Sequence, residues 1–90
     1  MPRSRKDCVM EAEGRVAIIS MIIENDSSVE QVNRLLHDYS AFIRGRMGVP
    51  YRERGLNIIS VVVDAPQDSI SALAGKLGRL PGVKSKAVYG

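Results

Sequence analysis

Ninety residues with 44% hydrophobic content, a formal charge of +3 and one cysteine describe a single small domain. The lone Cys8 excludes an internal disulfide framework and suits a reducing compartment. The charge is too mild to argue for nucleic acid, because Arg3, Arg5 and Lys6 supply part of it from the first six positions. No apolar run approaches a membrane span, and no signal-type apolar stretch follows the basic N-terminus, so no membrane contact and a cytoplasmic location are expected.

Residues 1–14 are charged, carry Pro2 and Gly14 and lack periodicity, which predicts a flexible N-terminal arm ahead of a folded domain over 15–90. Arg15 to Glu24 reads as a strand: four Ile and one Val fall within eight positions, and such β-branched side chains favour a pleated surface. Val16, Ile18 and Ile22 share one face, and Ala17, Ile19, Met21 and Ile23 share the other. Asn25 to Ser28 forms a turn into a helix, with a capping box expected from Ser27 with Glu30 or Ser28 with Gln31. Val29, Val32, Leu35, Leu36 and Tyr39 then make one apolar helical stripe.

Ala41 to Met47 alternates more weakly and carries charge, which predicts an edge strand, broken by Gly48-Val49-Pro50. Tyr51 to Gly55 closes a hairpin onto Leu56 to Asp64, the most β-branched run of the chain, apolar on both parities and so a central strand. Pro66 suits the first turn of a second helix with Ile70, Leu73, Ala74, Leu77 and Leu80 as its stripe. Gly75 and Gly78 weaken that helix and are expected to permit close packing on the sheet. Pro81-Gly82 ends it, and Val83 to Tyr89 is the last strand, with Lys84 and Lys86 outward.

The order β-α-β-β-α-β predicts an α+β ferredoxin-like sandwich, a four-stranded antiparallel sheet with two helices on one face. The first and third strands become its centre. Their second apolar parity then has no helix to cover it, which predicts a homo-oligomer, dimer or tetramer.

Chemistry-bearing residues are few. His37 is the only histidine, and no His/Cys cluster, nucleophile–base pair or paired carboxylates accompany it, so neither an enzyme, a cofactor nor a metal site is expected. The hairpin Arg44, Arg46, Tyr51, Arg52 and Arg54 is the most unusual local feature. Arginine forks match carboxylates and phosphates, although charges also serve simply to protect an edge strand. The central strands lack the aromatics on which RNA-recognition sheets stack bases. Gly75-Lys76-Leu77-Gly78 lies within a helical pattern and is not a phosphate loop.

Three segments carry a family resemblance. They are Gln31-Val32-Asn33 with Leu35-Leu36-His37; Arg46, Gly48, Pro50 and Arg52-Glu53; and Asp68, Ile70, Ala72-Leu73 and Gly75 to Gly78 with Gly82-Val83-Lys84. With this spacing the chain resembles the iron-only hydrogenase system regulators. The resemblance implies a stand-alone ferredoxin-like, ACT-like regulatory domain, similar to the sensor half of nickel-responsive regulators. That half binds nickel through several His and a Cys, whereas this chain has one His, on the first helix, and no Cys in the domain body, so the metal site is not carried over. The DNA-binding half is also lacking, so DNA binding by this chain alone is not expected. The reading is a sensing domain acting as an oligomer, with a small-molecule effector or a hydrogenase-maturation protein as partner. Arg44, Arg46, Tyr51, Arg52, Arg54 and His37 are its candidate contacts. The alternatives are a transcriptional regulator touching DNA through basic hairpins and a docking accessory of hydrogenase maturation.

Overall fold

The structure, a computed structural model, describes residues 14–90. The expected arm, with Cys8, lies outside the described residues except for Gly14, which opens the first strand. In chain order the elements are β1 (Gly14–Ile23), α1 (Ser27–Asp38), β2 (Ile43–Tyr51), β3 (Leu56–Pro66), α2 (Gln67–Gly78) and β4 (Val83–Tyr89). Single 3-10 turns, Ser40–Phe42 and Arg52–Arg54, precede and follow β2. The sheet order is β2-β3-β1-β4 with every pairing antiparallel. This is the ferredoxin-like arrangement, with the two most β-branched strands in the centre.

The period of two along β1 sorts its side chains onto two faces. Ala17, Ile19, Met21 and Ile23 are buried, and their cross-strand partners on β3 include Val63, Val61 and Ile59. Val32 and Leu36 of α1 and Ile70, Leu73 and Leu77 of α2 close the same core. Each fully buried Ile or Leu contributes roughly 1.5–3 kcal/mol by leaving water.

The start of α1 is fixed by tertiary contacts. Neither capping box forms: Ser28 is buried and its hydroxyl donates to the Pro81 carbonyl at 2.6 Å. Asp26 occupies the cap position without a side-chain capping bond, its Oδ1 accepting instead from the Asn57 amide at 3.2 Å, and Asn25 Oδ1 accepts from the Ser27 N–H at 3.0 Å and the Ser27 hydroxyl at 2.7 Å. The buried hydroxyl needs a partner, and the carbonyl of the α2–β4 turn supplies it. Glu30 instead pairs with Arg34 along the exposed helix face. Gly82 closes this junction. It has φ +70°, its carbonyl accepts from Glu24 N–H at 2.7 Å, and an added Cβ would meet Asn25 Cβ at 2.8 Å.

Two further expectations are corrected. β2 does not break at Gly48-Val49-Pro50 but runs through them to Tyr51. An edge strand has only one partner, so a proline lacking an N–H is tolerated there. Gly75 does not pack against the sheet: a Cβ placed on it meets nothing within 4 Å, whereas a Cβ placed on Gly78 would lie 3.3 Å from Ser85 Oγ. Pro66 ends β3 and sits at the cap of α2, one position before the helix proper.

Candidate functional site

Two surfaces stand out, and one irregularity in β2 shapes both. The register slips between Ile43 and Gly45, leaving Arg44 without a ladder partner. A bulge of this kind moves every later side chain to the opposite face. Arg46 and Gly48 therefore stand opposite Val61 and Ile59, on the helix side, while Met47 and Val49 stand opposite Ser60 and Ile58, on the open side.

The open side is apolar. Among the described residues, the exposed large hydrophobics are Val16, Ile18, Ile22, Met47, Val49, Tyr51, Val62 and Val88, between 38% and 64% exposed. The strand registers place all of them on this one face. At its centre the Ser20 and Ser60 hydroxyls lie 3.2 Å apart and satisfy one another. Lys84 and Lys86 of β4 border it, and Lys84 is paired with Glu24 at 3.4 Å. These lysines do face outward, on the open side of the sheet.

On the helix side, β2 is not roofed by a helix, and a groove of about 420 Å³ lies between it and α1. Asn33, Leu36 and His37 line it from α1, Ser40 from the following turn, and Ile43 and Arg46 from β2. Asn33 and His37 are four residues apart and so share a helix face. Arg46 donates to Asn33 Oδ1 at 2.8 Å, bridging helix and strand. A second hollow of about 210 Å³ adjoins through Asn33 and Arg46, floored by Gly48, Pro50 and Ile59.

Of the residues singled out in the sequence, the structure brings together only His37 and Arg46. Arg44 sits at the bulge, Tyr51 on the open apolar face, and Arg52 and Arg54 in the 3-10 turn at the hairpin tip. Among the described residues, none of these four arginines has a carboxylate within 4.0 Å. Asn33 and Gly48 were not singled out as contacts. The signal was available, since both stand in the motif segments that this groove joins. No cluster of three or more His, Cys, Asp or Glu that could hold a metal exists among the described residues, and no described helix is long and apolar enough to cross a membrane.

Comparison with known proteins follows the same outline. A family model, TM1266-like, described as "Iron-only hydrogenase system regulator, putative", matches residues 15–87. The fold is similar to that of the uncharacterized protein TM1266 from Thermotoga maritima. The two share 40% sequence identity over 86% of this chain and 98% of that one, with a TM-score of 0.82. Among curated proteins nothing matches.

Proposed function

The chain belongs to the TM1266-like family, and on that premise we propose that it is a non-catalytic regulatory domain of the iron-only hydrogenase system that works as a homo-oligomer. The observation that carries this reading is the gathering of the exposed large hydrophobics on one sheet face. A contiguous apolar face of this kind marks an interaction surface. Four strands about 4.8 Å apart and seven to eleven residues long make a plate of roughly 20 by 25–35 Å. Two such plates packed together bury on the order of 1,000 Å², the threshold of a specific interface. β-Branched side chains with a polar border are self-complementary when two sheets stack, which favours a second copy as the occupant. Regulation then consists of biasing the arrangement of subunits, and an effector does this only by binding one arrangement more tightly than another.

Light scattering tests the reading. At tens of micromolar the protein is expected to show a multiple of the 9.9 kDa chain mass. Val62→Lys, which puts a charge at the middle of the open face, is expected to return it to one chain with its circular dichroism intact. A single-chain mass for the unmodified protein overturns the proposal.

A further inference from the structure

The groove between α1 and β2 has a polar wall that offers donors. An arginine guanidinium carries only N–H groups, so the Asn33 atom that meets Arg46 at 2.8 Å is the amide oxygen. That contact uses the acceptor of Asn33 and leaves its NH₂ group to the groove. It tethers the exposed guanidinium to the helix, and the other guanidinium N–H donors have no side-chain partner among the described residues. No carboxylate among the described residues lies within 4.0 Å of Arg46 to use them. His37 and the Ser40 hydroxyl complete the wall, and neither imposes a negative charge. Beside this wall the floor is mostly apolar or bare: Leu36 and Ile43 on one side, and Gly48, Pro50 and Ile59 on the other, where the Asn57 amide, donating to Asp26 Oδ1 at 3.2 Å, is the polar exception. A Cβ on Gly48 would meet nothing within 4 Å, so the space above this part of the edge strand is open.

A guanidinium tethered to Asn33 with its other N–H groups open, an amide NH₂ beside it and a mostly apolar floor form a receptor for a molecule with an oxyanion at one end and an uncharged body. We infer that the Asn33–His37–Arg46 groove binds a small organic anion, its carboxylate or phosphate held by Arg46 and the Asn33 amide and its body lying over Gly48 and Pro50. The site rests on the regulatory reading for its purpose, as the effector site of the oligomer, but not for its chemistry. Because Arg46 joins α1 to β2, an anion there competes with or reinforces the Asn33 contact and acts on how the edge strand sits against the helix.

The test is a nuclear magnetic resonance titration with acetate and, separately, inorganic phosphate, at ionic strength held constant with chloride. Saturable shifts are expected at the Asn33 side-chain amide, the Arg46 Nε–H, and the His37 and Gly48 amides. The better of the two anions names the head group. Arg46→Gln is expected to weaken binding at least tenfold, with Arg46→Lys in between, and Arg52→Gln at the hairpin tip to leave it unchanged. Non-saturating shifts, or equal losses from Arg46→Gln and Arg52→Gln, overturn the site. Light scattering on the same samples separates the two proposals. Loss of the site with a multimeric mass leaves the regulatory oligomer standing, and saturable binding to a single-chain protein leaves the site standing without it.

Discussion

Ile18 and Ile19 are adjacent and chemically identical, yet Ile19 is fully buried and Ile18 is 43% exposed. The same division runs along β3, where Val61 and Val63 are buried and Val62 between them is exposed. Composition does not distinguish the two faces of this sheet. On one side the helices α1 and α2 complete a core, and on the other the same residue types stand exposed, with no covering layer among the described residues. The sheet has two apolar faces, and the described residues supply a helical cover for one of them.

The largest expected effect sets the two faces directly against each other. Ile19→Ala is expected to cost about 2–5 kcal/mol in urea unfolding, from lost transfer energy and the cavity left behind. Ile18→Ala is expected to cost far less in dilute protein, with a penalty that grows with protein concentration as association comes to depend on that face. Equal, concentration-independent losses at both positions would erase the distinction.

A smaller effect compares the serines of the two sides. Ser28→Ala leaves the Pro81 carbonyl without its partner at a buried junction and is expected to cost about 1–3 kcal/mol. Ser20→Ala breaks an exposed cross-strand pair and is expected to cost about 0.2–1 kcal/mol. Differential scanning calorimetry on the two variants orders them.

The smallest effect has the opposite sign. Gly75→Ala lies on the outer side of α2 with open space around it, and removing the glycine's backbone freedom is expected to stabilise the domain by about 0.5–1 kcal/mol. A loss of stability there would show that the outward surface of α2 is itself engaged.

Much of the architecture was legible because hydrophobic periodicity is a local signal. The strand Val83–Tyr89 and the start of Leu56–Pro66 fall where the pattern placed them, and the apolar stripes of both helices supply the buried Val32, Leu36, Ile70, Leu73 and Leu77. The site was less legible. His37 and Arg46 were named among six candidates, but they share a groove because the bulge at Arg44 turns Arg46 to the helix side. Arg44 and Arg46 share one parity of the strand, and the alternation gives no indication of which of the two will be left unpaired.

What the sequence alone determined is the order of elements, the two central strands and the excess of apolar surface on them, since each depends on residue type and spacing along the chain. Tertiary structure decided which parity faces the helices, how α1 is capped from the α2–β4 turn, and which hairpin arginine meets α1. A single unpaired residue in β2 turns every later side chain over, and such a register is chosen by packing against β3 and α1, not by the local preferences of the strand itself.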